Sequence, residues 1–254
     1  MSNGTLSNSL FQNYVVMSEA EQIRFLDLHI RDATDLTAGF LLKAIQHTSN
    51  SLALWYLIKG LGLCKAIDGV SYIIQVCKQP EKHFDTTSLH AICAWSLGQI
   101  GSAAYEPTKE LLRETDPETR RCAVDALGEL RDPEATELLC ETLKHDEFDV
   151  QLWAGLSLSK LGERAIECLH ETIRNADYHA RMIALDAIIR IGSDHSLPVL
   201  KDLLINGAID DRRLILETAG KYHKMLTDEL RLISISDDVT LAQLAHQALS
   251  NISN

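Results

Sequence analysis

Apolar residues recur along this chain at helical spacing, and the helical pattern itself recurs as a block. Ile92-Cys93-Ala94-Trp95-Ser96-Leu97-Gly98-Gln99-Ile100-Gly101 is echoed by Cys122-Ala123-Val124-Asp125-Ala126-Leu127-Gly128-Glu129-Leu130. Two further copies run from Trp153 to Gly162 and from Ile183 to Gly192, and weaker ones end at Leu61-Gly62, Ala219-Gly220 and Leu249-Ser250. The equivalent positions are 61, 97, 127, 158, 188, 219 and 249, and five of the six intervals are 30 or 31 residues. A fixed period of this length marks stacked repeats. The longer first interval holds an insertion around Lys78-Gln79-Pro80-Glu81-Lys82-His83-Phe84.

Each period has room for two helices. Asp116-Pro117-Glu118 combines a capping oxygen, a proline at the first helical position and an acid in the first turn. Ala123, Ala126, Leu127 and Leu130 then form one buried face, and after Asp132-Pro133-Glu134 a second stripe runs through Leu138, Leu139 and Leu143. Small residues at Ala94, Ala123, Ala154 and Ala184 let neighbouring helices approach, and Gly98 and Gly128 relax packing near helix ends. Aspartates recur near the helix starts at Asp85, Asp116, Asp146, Asp177, Asp210 and Asp237. A two-helix unit this small cannot bury its own apolar face, so the units must stack. The expected fold is an all-α solenoid of about six to seven two-helix repeats over residues 51–254, continuous with capping helices in 18–50 and preceded by a flexible 1–17.

The units resemble HEAT-like repeats, specifically the short bacterial kind found in phycobilin lyases of the E/F type and their relatives. Ala94-Trp95-Ser96-Leu97-Gly98-Gln99-Ile100-Gly101 and Arg120-Arg121-Cys122-Ala123-Val124-Asp125-Ala126-Leu127-Gly128 carry the likeness, which covers about residues 50–254. The resemblance implies a right-handed solenoid and an arginine in the first turn of the repeated helix. That arginine is present as Arg120, Arg181 and Arg212 and replaced by His90 and Gln151. These arginines are expected to pair with acids or carbonyls along the solenoid.

The resemblance also implies that the repeated helices line the concave surface. Projection then gives a ladder of Lys59, Trp95, Asp125, Leu156, Asp186, Glu217 and Gln247. One turn earlier runs Tyr56, Ile92, Cys122, Trp153, Ile183, Leu214 and Leu244. Trp95 and Trp153 have two readings, as groove anchors or as core between repeats. On the first, Tyr56, Trp95 and Trp153 form an exposed apolar stripe beside an acidic strip of Asp125, Asp186 and Glu217. That combination suits a basic or amphipathic helix or loop of another protein.

Charge and chemistry narrow the function. With 36 acidic against 24 basic residues, a net charge of −12 and a pI near 5.2, the chain repels nucleic acid. That also sets it apart from DNA glycosylases of similar architecture, whose groove is basic. No stretch approaches 18 apolar residues, so no membrane insertion is expected, and the polar start lacks a secretory signal. Cys64, Cys77, Cys93, Cys122, Cys140 and Cys168 form no CxxC and read as reduced core thiols of a cytoplasmic protein. His145, His170 and His179 lack partner histidines at ligand spacing and read, with the other histidines, as scattered surface residues, so no metal is expected. Asp125 and Asp186 lie two repeats apart, too far to share a proton, and no phosphate loop, GxSxG or HExxH is present. The function expected is therefore that of a non-catalytic scaffold or adaptor with no cofactor. The alternative is a phycobilin lyase or bilin-handling chaperone. There Tyr56, Trp95 and Trp153 would stack the bilin while Asp125 or Asp186 accepts its pyrrole N–H groups. The doubly aromatic stretch frequent at the start of those enzymes is absent, the corresponding segment reading Trp55-Tyr56-Leu57-Ile58-Lys59.

Overall fold

The computed structural model describes residues 3–31, 36–84 and 87–252, with the side chains of 3–8, 84 and 87 left aside. The chain divides into two compact units, residues 1–135 and 136–254, where one continuous solenoid behind a cap was expected. The first unit holds α1 (Asn3–Val15), α2 (Glu19–His29), α3 (Ala38–His47), α4 (Ser51–Leu63) and α5 (Val70–Cys77). It continues with the two-residue antiparallel strands β1 (His83–Phe84) and β2 (Thr87–Ser88), then α6 (Leu89–Ile100), α7 (Tyr105–Glu110) and α8 (Pro117–Leu130). The second comprises α9 (Ala135–His145), α10 (Phe148–Leu161), α11 (Ile166–Asn175), α12 (Tyr178–Ile191), α13 (Leu197–Asn206), α14 (Ile209–Thr218), α15 (Thr227–Ser234) and α16 (Val239–Ile252).

The long repeated helices pack side by side as one layer in each unit: α4, α6 and α8 in the first, α10, α12, α14 and α16 in the second. The shorter helices between them, α5 and α7, then α9, α11, α13 and α15, form the other layer. Leu61, Leu97, Leu127, Leu158 and Ile188, at the repeated positions, are fully buried, as are Ala94, Ala123, Ala154 and Ala184. Close helix contact explains two glycines. A Cβ on Gly98 would lie 2.6 Å from Cβ of Glu129 on α8, and one on Gly155 would lie 2.2 Å from Cγ2 of Ile183 on α12. Gly98 thus does more than relax a helix end: it is the contact point of α6 with α8.

Polar side chains start the helices. Asn50, Ser88, Asp116 and Asp177 accept first-turn amides of α4, α6, α8 and α12. The expected run of aspartate caps is therefore only partly realised. Asp146 accepts from Glu147 N just ahead of α10, Asp211 rather than Asp210 accepts from Ala208 N, and Asp238 rather than Asp237 accepts from Leu241 N. Asp85 lies outside the described residues.

Two expectations are overturned. Residues 3–15 are helical, and Phe11 and Tyr14 are buried against Phe40 and Phe25, so the later part of the segment expected to be flexible is anchored in the core. Two aromatic anchors three residues apart, separated by Gln12 and Asn13, hold it together with Val15, which is too short a pattern to stand out. The six cysteines are also not all reduced: Cys140 of α9 and Cys168 of α11 form a disulfide, with Cα atoms 6.3 Å apart. The stacking of α11 on α9 brings the two side chains together within bonding reach. Cys77, Cys93 and Cys122 are buried free thiols as expected, and Cys64 is exposed.

Candidate functional site

In the first unit, Tyr56 on α4 is half-buried and its hydroxyl donates to Asp27 Oδ1 at 3.0 Å, so it already has a partner on α2. Burial, then the Asp27 bond, pushes its phenol above the ordinary value. Trp95 on α6 is half-buried and packs against the hydrophobic core, so it combines both readings: one edge in the core, one in solvent. Asp125 on α8 is half-buried. In the second unit, Trp153 on α10 and Asp186 on α12 are half-buried and Glu217 at the end of α14 is exposed. Asp186 pairs with Arg190 at 2.5 Å and Glu217 with Arg213 at 2.8 Å, each one turn away on its own helix. The acids of this strip are thus already neutralised in part, and such exposed pairs contribute little to stability.

The row of Lys59, Trp95 and Asp125, and that of Leu156, Asp186, Glu217 and Gln247, contain no fully buried residue. One turn earlier the projection fails: Ile92, Cys122 and Ile183 are buried. Ile92 and Ile183 lie on α6 and α12, which have a layer neighbour on both sides, and Cys122 of α8 turns toward α6, its sulfur 3.7 Å from the His90 carbonyl, so a residue one turn away falls between helices. The apolar stripe is accordingly narrower than expected.

The arginines behave as expected. Arg120 Nη1 donates to the carbonyls of Glu114 and Thr115 (3.0 and 2.9 Å), and Arg212 to those of Gly207 and Ile205 (3.0 and 2.6 Å). Both close the open carbonyl end of the preceding short-helix segment. Arg181 instead pairs with the buried Asp211 at 2.8 Å. Where histidine replaces arginine, His90 Nε2 still reaches a carbonyl, that of Gln79, at 2.9 Å. Its Nδ1 lies 3.2 Å from the buried Glu81 carboxylate, which also receives Arg121 at 3.0 Å and the His90 amide at 3.1 Å. This cluster was missed from sequence. Its signal was an acid in the insertion next to the repeat whose arginine is absent.

The histidines are not all on the surface. His90, His170 and His223 are buried. Burial holds the His170 imidazole below its ordinary value, with Arg174 adding to the effect, and burial does the same at His223. Nε2 of His223 has no hydrogen-bond partner. His223 lines a cleft of about 480 Å³ with Leu216, Glu217, Leu244 and Gln247, in which Glu217 forms one wall. Among the described residues, no group of three or more His, Cys, Asp or Glu is placed to hold a metal ion. Among the same residues, no helix is long and apolar enough to cross a membrane.

Two layers of helices within each unit, recurring at a period of about 30 residues, define an all-α solenoid of repeats. The family model for HEAT repeats matches residues 86–159 and 137–219, more than half of the chain, which therefore belongs to the HEAT-repeat family. No curated protein matches it as a relative. Among solved structures, YibA from Escherichia coli is 18% identical with a TM-score of 0.47, covering 97% of this chain and 96% of its own. The CpcE–CpcF complex of phycocyanin lyase from a Nostoc species is 16% identical with a TM-score of 0.44, covering 86% and 89%. A designed armadillo repeat protein in complex with the peptide (KR)4 is 16% identical with a TM-score of 0.33, covering 95% and 98%.

Proposed function

We propose that this HEAT-repeat protein is a non-catalytic scaffold that docks a basic or amphipathic helix or loop of another protein on the solvent face of its long helices. The observation that supports this reading most is the row of Leu156, Asp186, Glu217 and Gln247 on α10, α12, α14 and α16. It stays out of the core in every repeat of the second unit, while residues one or two positions away are buried: Ala154 and Leu158, Leu185 and Ala187, Leu216 and Ala219, Ala245 and Ala248. Trp153 supplies a half-buried aromatic beside that row, and Asp186 and Glu217 supply negative charge. In the first unit Tyr56, Trp95 and Asp125 have the same character. Such a face is built before any partner arrives, so little ordering entropy opposes docking. Aromatic anchors bordered by charge are what a protein partner uses.

Affinity capture from the native host with wild-type protein, Trp153→Phe and Asp186→Lys tests the reading. A partner enriched by wild-type and lost with both variants, at unchanged melting temperature, supports it. Retention of the same proteins by both variants overturns it. Mixing the purified protein with a bilin checks the lyase alternative, which requires a shifted visible band and an adduct on an acceptor protein.

A further inference from the structure

We propose that the second unit carries a separate docking edge, along the starts of α10, α12, α14 and α16, for a basic polyproline-type segment of another protein. Each of these helices opens on a large apolar side chain that faces water. Phe148 is 53% exposed, Tyr178 50%, Ile209 58% and Val239 68%. They lie at a constant offset, ten residues before the repeated positions 158, 188, 219 and 249. A single exposed apolar residue needs no explanation, but four in register along one edge form an interaction surface. The offset changes character in the first unit, where α8 opens on Pro117. The ladder therefore belongs to the second unit and is no requirement of the repeat itself.

The edge is organised beyond its period. The His179 ring stands edge-on between Phe148 and Tyr178, at 5.3 and 5.5 Å between centroids. The Tyr178 hydroxyl donates to Asp210 Oδ2 at 3.0 Å, and the Arg181 guanidinium lies 5.9 Å from the Tyr178 ring. Three exposed rings thus form one strip. Acids border it in every repeat: Glu147, Asp149, Asp177, Asp210 and Asp237 are all exposed. Of the nearby cations, Arg181 is turned on the buried Asp211, Arg212 on the Gly207 and Ile205 carbonyls, and the exposed Arg213 is paired with Glu217 one turn further along α14. The outward charge is therefore negative, and the complement is Lys or Arg.

Spacing selects the backbone of the partner. Helices packed in one layer stand about 8–10 Å apart. A polyproline helix advances about 9 Å per three-residue turn, so every third side chain meets the next helix start while those between reach the acids. Aromatic rings are also the surface on which such segments dock.

The test is fluorescence anisotropy with three labelled twelve-residue peptides: four Leu-Pro-Arg triplets, a scramble of the same composition, and the triplets with Glu for Arg. The ordered peptide is expected to bind at least about tenfold tighter than the scramble, and the acidic one not at all. Tyr178→Ser and Ile209→Ser should each weaken binding by about fivefold or more at unchanged melting temperature, since both side chains are half or more exposed. Trp153→Phe should leave it unchanged, which separates this edge from the face proposed above. Equal binding of ordered and scrambled peptides overturns the proposal. So does indifference to Tyr178→Ser and Ile209→Ser, or a helical signature of the bound peptide in circular dichroism.

Discussion

Replacing Arg181 by Met removes one side of the pair with Asp211, and the structure sets the size of the loss. The Asp211 side chain is 1% exposed, and its carboxylate has two described partners: Arg181 Nη1 at 2.8 Å and the Ala208 amide at 3.0 Å. Its other oxygen is buried without a partner, so Arg181 supplies the only countercharge in direct contact. Breaking such a pair from one side costs about 3–5 kcal/mol, because the remaining charge is stranded in low dielectric. Arg181 itself is 24% exposed and the Ala208 amide stays in place, so the low end, about 3 kcal/mol, is expected. Arg181→Met with Asp211→Leu removes charge and countercharge together. It should lose only about 1 kcal/mol, the cap at the start of α14. Urea unfolding followed by circular dichroism and tryptophan fluorescence gives the four corners of the cycle. A single-variant loss below about 1 kcal/mol, or additivity within about 0.5 kcal/mol, refutes the reasoning.

Reducing the Cys140–Cys168 bond, which spans 28 residues, should lower the stability of the second unit by about 3–4 kcal/mol on loop entropy. The urea midpoint with and without dithiothreitol, with thiols counted by mass after alkylation, checks this. Coincident midpoints would show that the bond adds nothing. His170 and His223 are held below their ordinary value of 6.5 by burial, so the unfolded chain binds their protons first as pH falls. Stability is complete above pH 6.5 and declines as pH drops through that value toward the lower folded values. His170→Gln with His223→Gln should flatten the loss of melting temperature between pH 7.5 and 5, and an unchanged slope counts against the assignment.

The period was legible because stacking constrains the same positions in every repeat. Ala94, Ala123, Ala154 and Ala184 are fully buried at one position of the repeat, and Leu97, Leu127, Leu158 and Ile188 are fully buried three or four residues on. The arginine role could be read as well, since a first-turn cation has few targets besides an acid or the carbonyls ending the helix before it. What escaped depends on contacts that no period encodes. The Cys140–Cys168 bond joins residues at unequal offsets in their repeats, and Glu81 sits in an insertion that only the first interval contains. The groove projection failed by one turn at Ile92, Cys122 and Ile183, because that turn of each helix packs against the neighbouring long helix rather than facing solvent.

The ladder of Phe148, Tyr178, Ile209 and Val239 escaped for a different reason. All four stand beside acids at helix starts, where attention goes to the caps, and a capping acid has a sufficient local explanation in the helix end it satisfies. The apolar residue beside it is not needed for the cap: half or more of it stays in water in each repeat of the second unit, and covering the rest would gain about 1–1.5 kcal/mol that the isolated chain forgoes. In a repeat protein the offsets that hold in every unit report stacking. An offset that changes from Pro117 in one compact unit to four exposed apolar residues in the next reports something that stacking does not require. That asymmetry makes the second unit, rather than the repeat in general, the place to look for a partner.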